Sequence, residues 1–197
     1  MTNAEELALA MDKNTPANIL DELTQSDSEN VRMMLTNNPN ISAESLDKLS
    51  QDENQFLRMR VAAHIKVTAE TLAVLSKDES GYVREFVAEH PNTSVTTLVA
   101  LSEDALVVSW VASNPNTPEE LLQKLSTHED ENVRVSVAFN ANTPIKLLNT
   151  LSKDESKEVR VSVSVNPRTL VSILDVLAKD PHEEVRAAVL KNPNATV

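Results

Sequence analysis

Two pairs of apolar columns recur along this chain every 26 residues or so. Leucine stands at positions 20, 46, 72, 98, 122, 148 and 174, and again three residues later at 23, 49, 75, 101, 125, 151 and 177. Ile19, Leu121, Leu147 and Ile173 precede the first of these columns. Leucine at i and i+3 with an apolar neighbour makes one face of a helix. The second pair is four residues apart: Val31, Leu57, Val83, Val107, Val133, Val159 and Val185, then Leu35, Val61, Val87, Val111, Val137, Val163 and Val189. This is the stripe of a second helix. A column of small residues runs beside it (Ala62, Ala88, Ala112, Ala138, Ser164) and would let neighbouring backbones approach closely.

The polar positions punctuate the same period. Thr15-Pro16, Thr117-Pro118 and Thr143-Pro144 read as an N-cap followed by proline at the first helical position, where no amide hydrogen is missed. Glu120, three residues after Thr117, has the spacing of a capping box. The second helix is expected to begin near Asp78, Asp154 or Asp180 and to stop at pairs such as Asn38-Pro39, His90-Pro91, Asn114-Pro115, Asn166-Pro167 and Asn192-Pro193. Proline disfavours α geometry in the residue before it. Each repeat is therefore expected to hold two short helices of about 8–11 residues. Such helices are marginal alone and must stack to bury both faces. The expected fold is an all-α solenoid. Seven repeats span residues 14–193 and begin at Asn14, Asn40, Lys66, Asn92, Asn116, Asn142 and Arg168. Residues 1–13 read as an N-terminal half-repeat cap, with Glu5 and Glu6 replacing the Val-Arg pair, and residues 194–197 as the start of a further repeat or a C-terminal stub. The whole, 1–197, reads as a single repeat domain.

The consensus VRxxVAxNPxTPxxLLxxLSxD, clearest in residues 114–140, resembles the leucine-rich repeat variant family within the wider armadillo/HEAT-like superhelices. The resemblance covers residues 14–193. It implies a right-handed superhelix in which a regular α-helix alternates with a shorter helix of α or 3₁₀ type. It implies no catalytic residues, and its usual reading is a scaffold or binding surface. One member of the family joins its repeats to a cysteine-ligated iron–sulfur module; this chain has no cysteine, so that feature is not carried over.

Composition narrows the chemistry. Average usage predicts roughly 14 glycines in a chain of this length, and there is 1. Glycine-rich phosphate loops, dinucleotide fingerprints and nucleophile elbows are thereby nearly removed. The absence of cysteine excludes disulfides, thiolate nucleophiles and cysteine metal sites. Residues 1–13 lack the basic start of a signal peptide. The most apolar window, Ala105 to Ala112, is far shorter than the ~18 residues that span a membrane. These features point to a cytoplasmic protein with no membrane contact. Formal net charge is −12 and is spread along the chain, which disfavours nucleic acid as a partner.

Arginine follows the core residue in six repeats: Arg32, Arg58, Arg84, Arg134, Arg160 and Arg186. The reading favoured here is structural, each guanidinium forking between carboxylates and helix-end carbonyls of adjacent repeats. The competing reading is a basic ladder for an acidic ligand. His64 and His90 occupy a column otherwise held by asparagine and read as turn caps. His128 and His182 lie in acidic loops without the ligand spacing of a zinc site. Carboxylates crowd helix starts, as at Glu119-Glu120 and Glu183-Glu184, where the helix dipole favours them. No catalytic, cofactor-binding or metal-ligating residue is expected, and no cofactor.

Repeat four is the exception. It is two residues short, carries Val108 where arginine recurs, and holds the lone tryptophan, Trp110. Trp110 shares a column with Met34, Arg60 and Phe86, followed by Ser136, Ser162 and Ala188. The large residues either repack the core around a shortened loop or line the N-terminal half of a groove, as a partner-binding set of Met34, Arg60, Phe86 and Trp110. Tryptophan and arginine are enriched in interface hot spots. The expectation is a non-enzymatic repeat scaffold that binds a protein or peptide on an extended curved surface. The alternative is a HEAT-like nucleic-acid-binding or base-processing protein, disfavoured by the charge. The apolar face of the last repeat adds end-to-end self-association as a further expectation.

Overall fold

The structure is a computed structural model and describes residues 1–196. Among them it contains fifteen α-helices and no strand. The chain divides into two compact units, Met1–Thr97 and Leu98–Val197. The first contains α1 (Asn3–Met11), α2 (Ala17–Leu23), α3 (Glu29–Leu35), α4 (Ala43–Leu49), α5 (Gln55–Ala62), α6 (Ala69–Leu75) and α7 (Gly81–Glu89). The division falls inside α8 (Val95–Leu101). The second unit continues with α9 (Val108–Ser113), α10 (Glu119–Leu125), α11 (Glu131–Phe139), α12 (Ile145–Leu151), α13 (Lys157–Val165), α14 (Val171–Leu177) and α15 (Glu183–Val189). Even-numbered helices are the first of each repeat and odd-numbered ones from α3 the second. The architecture is an α-solenoid.

Both apolar stripes reach the core. In the first unit Leu20, Leu46 and Leu72 are buried beneath the first helices, and Val31, Leu57 and Val83 beneath the second. In the second unit Leu122, Leu148 and Leu174 meet Val133, Val159 and Val185 in the same way. Each such side chain contributes about 1.5–3 kcal/mol by leaving water. The small column is buried as well, from Ala62 and Ala88 to Ala138 and Ser164.

Helix ends depart from the expectation. The first helices are α-helical but only 7 residues long, and the second helices run from 6 to 9. The N-cap of α2, α10 and α12 is the proline, not the threonine before it. The threonine hydroxyl instead donates back to the preceding second-helix position: Thr15 to the Leu9 carbonyl at 2.7 Å, Thr143 to Val137 at 2.5 Å, Thr169 to Val163 at 2.6 Å, and Thr117 to Val111. Pro118 is the N-cap of α10 and no side chain caps that helix, so the box expected of Thr117 and Glu120 does not form. A capping box does close at Thr2 and Glu5. Where serine or threonine replaces the proline, as at Ser42 and Thr68, its hydroxyl caps α4 or α6.

The aspartates before the second helices also act one step early. Asp52, Asp78, Asp154 and Asp180 each accept, through Oδ1, the amide two residues on at 2.9 Å. They shape the turn, and the residue two later is the cap. No described residue has positive φ, Gly81 included. Repeated turns built from Asx bonds and proline need no left-handed residue, which is why one glycine suffices.

Candidate interaction surface

Within each unit, side-chain rungs connect one repeat to the next. Asparagine forms the first. Asn140 donates Nδ2 to the Ala112 and Asn114 carbonyls at 2.8 and 2.9 Å, and Asn166 and Asn192 repeat the pattern one and two repeats on. Each Oδ1 meanwhile accepts the amide two residues ahead, at 2.8 Å for Asn140. In the first unit Asn38 does the same, toward Ala10 and Asp12. His64 and His90 occupy this column, and their Nδ1 atoms accept the amides of Lys66 and Asn92 at 3.1 and 3.0 Å. Burial holds both imidazoles below the ordinary histidine range.

Arginine forms the second rung. Arg32, Arg58, Arg134 and Arg160 each present Nε to an aspartate twenty residues on, at 2.6–2.8 Å, the partners being Asp52, Asp78, Asp154 and Asp180. Nη1 turns the other way and donates to loop carbonyls of the same repeat, for example Asp154 and Glu155 in the case of Arg160. The same Nη1 bonds are made by Arg84, to Asp78 and Glu79, and by Arg186, to Asp180 and Pro181. The Arg160 bond, opposed by burial, holds Asp180 down at about 2. Burial works against ionisation of Asp78 and Asp154, yet the arginine and the local amide bonds hold both below the usual carboxylate range. These rungs floor shallow depressions, a mainly polar one of about 440 Å³ around Arg32 and Asp52 and a mixed one of about 540 Å³ around Arg134 and Asp154. Among the described residues no buried side-chain nitrogen or oxygen lacks a partner, and no group of three or more His, Asp or Glu is arranged to hold a metal ion.

Two departures from the arginine pattern are matched in the neighbouring repeat. Val108 replaces arginine, and the residue twenty positions on is His128 instead of aspartate. Glu6 stands in the arginine column of the leading half-repeat, and the partner position holds Ser26, whose hydroxyl donates to the Glu6 carboxylate at 2.5 Å.

The outward positions of the second helices carry what the rungs leave over. In the first unit Met34 and Phe86 are half-buried, and Arg60 is exposed with its guanidinium on Thr36 Oγ1 at 3.0 Å and on Asn37 Oδ1. Phe56 and Tyr82 lie one turn before Arg60 and Phe86 and are 61% and 66% exposed. In the second unit Trp110 is 37% exposed and Phe139 is 64% exposed. None of the five aromatic side chains of the chain is in the core, which is built from leucine, valine, isoleucine and alanine.

Solved structures were compared with this arrangement. One, described as a leucine-rich repeat variant with a novel repetitive protein structural motif, is 25% identical with a TM-score of 0.64; the match covers 89% of this chain and 71% of that one. The fold is that of a leucine-rich repeat variant. A second structure, YibA of E. coli, is 18% identical over 96% of this chain and 73% of its own, with a TM-score of 0.39. No protein-family model matches the chain, and no curated protein does. No described helix is long and apolar enough to cross a membrane.

On this leucine-rich repeat variant fold the residues proposed from sequence fall into two groups. Arg32, Arg58, Arg134 and Arg160 of the arginine column meet aspartates of the next repeat, and Arg84 and Arg186 bond loop carbonyls. Met34, Arg60 and Phe86 lie on the outward side of α3, α5 and α7, and Trp110 on that of α9. Sequence reasoning passed over Phe56, Tyr82 and Phe139. The signal was there: each sits next to a buried column, Phe56 and Tyr82 where four other repeats carry asparagine or glutamate, and Phe139 where others carry Asn37, Ala63, Glu89 or Lys191.

Proposed function

We propose that this chain is a non-enzymatic scaffold that holds a protein or peptide on the outward face of its second helices. The observation that carries this reading is the placement of its aromatic residues. Aromatics dominate core energetics in ordinary domains, whereas here all five stand outside a core that packs without them. Exposed apolar side chains that gather into a contiguous patch mark interaction sites. The arginines do not compete for this role, because those of four rungs spend their donors on aspartates and carbonyls.

The test compares wild type with Trp110→Ala, each immobilised and exposed to native lysate, beside their thermal melts. The reading expects a partner retained by wild type and lost from the variant while the melting temperature stays within about 3 °C, the shift of a change of ~1 kcal/mol. A collapsed melting temperature assigns Trp110 to packing and removes this support. An identical set of captured proteins would remove it too.

A further inference from the structure

The first unit offers one surface whose composition says what should sit on it. Its second helices α3, α5 and α7 follow one another in successive repeats, joined by the Arg32–Asp52 and Arg58–Asp78 rungs. A further bond runs from Asn54 Nδ2 to Glu29 Oε1 at 2.6 Å, and Arg60 reaches from α5 to the end of α3. Their outward positions carry Met33, Met34, Phe56, Met59, Tyr82 and Phe86. All six are exposed or half-buried. Methionine is adaptable and polarisable, and it recurs on surfaces that receive apolar segments of varied shape.

The charges around this patch select the occupant. Residues 1–97 contain 8 Lys+Arg against 16 Asp+Glu. Glu29 and Glu89 stand exposed on the same helices and Glu85 is half-buried among them; Glu53 and Glu79 on the preceding loops are exposed and lie 3.8 and 3.4 Å from Arg32 and Arg58. The one cation on the outward positions, Arg60, is engaged by Thr36 and Asn37. An anionic membrane, a nucleic acid or a second copy of this acidic chain would meet repulsion here. A segment carrying apolar side chains flanked by lysine or arginine meets both the apolar patch and its acidic rim.

We propose that the face formed by α3, α5 and α7 binds a basic, apolar peptide segment of a protein partner. This rests on the scaffold reading above and specifies the chemistry of what the scaffold holds.

The test uses two fluorescein-labelled peptides, four repeats of Leu-Lys-Lys-Leu and four of Leu-Glu-Glu-Leu, titrated with the full chain at about 0.15 M salt to screen distant charge. The first peptide binds and the second does not. Phe56→Ser with Tyr82→Ser weakens binding at least tenfold, the loss of a hot spot worth ~1.4 kcal/mol or more. Val176→Ser, at an equally exposed apolar residue on α14, a first helix of the second unit, leaves the affinity unchanged. Tyr82→Ser alone serves as the readable variant if the double substitution lowers the melting temperature. The proposal is overturned if both peptides bind alike, if neither binds, if the double variant keeps wild-type affinity, or if Val176→Ser weakens binding as much. Should neither peptide bind while Trp110-dependent capture from lysate persists, the scaffold reading stands and the basic segment is wrong. Peptide binding without any such capture separates the two in the other direction.

Discussion

Arg134 and Asp154, twenty residues apart in successive repeats, meet through two parallel bonds, Nε to Oδ2 at 2.8 Å and Nη2 to Oδ1 at 3.0 Å. The third nitrogen of the guanidinium holds the His128 and Glu129 carbonyls. Planar two-point pairing of this kind is available to arginine and not to lysine. The rung ties the loop of one repeat to the loop of the next, with both side chains about 10% exposed.

Removing one end of such a rung leaves a buried charge uncompensated. Arg134→Ala should therefore destabilise the chain by about 3 kcal/mol, whereas Arg134→Met with Asp154→Leu should come close to wild type. Urea denaturation of the single and double variants measures the difference. If Arg134→Ala costs under about 0.5 kcal/mol, the pair behaves as a surface ion pair and the rung is ornamental.

The break in the ladder at Val108 and His128 gives a second, independent check. Val108 is buried, and its loop is two residues shorter than those that supply carbonyls to the other arginines. Val108→Arg alone should cost about 2 kcal/mol or more, as an unpaired cation in an apolar position. Adding His128→Asp should recover about 1 kcal/mol through the rebuilt pair, a coupling that a double-mutant cycle reads directly. Strict additivity of the two changes would mean that their joint departure from the pattern has no physical link.

Acid should act on the fold in two stages. Burial, with Lys66 and His90 adding to it for His64, holds the His64 and His90 imidazoles below the ordinary histidine range. The unfolded chain then binds more protons than the folded one as pH falls below ~6.5, so stability declines there. His64→Asn with His90→Asn restores the asparagine of the other repeats and should abolish that decline. The second stage belongs to the aspartates. Asp180, held by Arg160 at about 2 against 3.8, contributes stability that is complete above pH ~4 and lost as pH falls toward 2. Melting temperatures from pH 8 to 2 separate the stages. An unaltered first stage in the asparagine variant would contradict the assignment.

The solenoid was legible from the chain because seven copies repeat each column, so an accident in one is outvoted by the rest. Cap register was not. A threonine followed by proline fits an N-cap and a back-bond to the previous helix equally well, and only backbone geometry decides where the Thr143 hydroxyl points. The proline occupies the cap itself, and the first helices are correspondingly shorter than their apolar pattern suggests. The outward aromatics were only half visible. Phe86 and Trp110 stood out as large residues in a column that turns small, while Phe56 and Tyr82 were passed over. Fold and proposed binding surface are thus read from different columns of the same repeat, inward ones repeated for stacking and outward ones free to vary.

The central claim is that the outward side of the second helices is the surface that binds. Amide hydrogen exchange of the full chain, alone and saturated with the Leu/Lys peptide, tests it most directly because it reports protection helix by helix. The account predicts slowed exchange in residues 29–35, 55–62 and 81–89. Slowing confined to the first helices, at 17–23, 43–49 and 69–75, would contradict it.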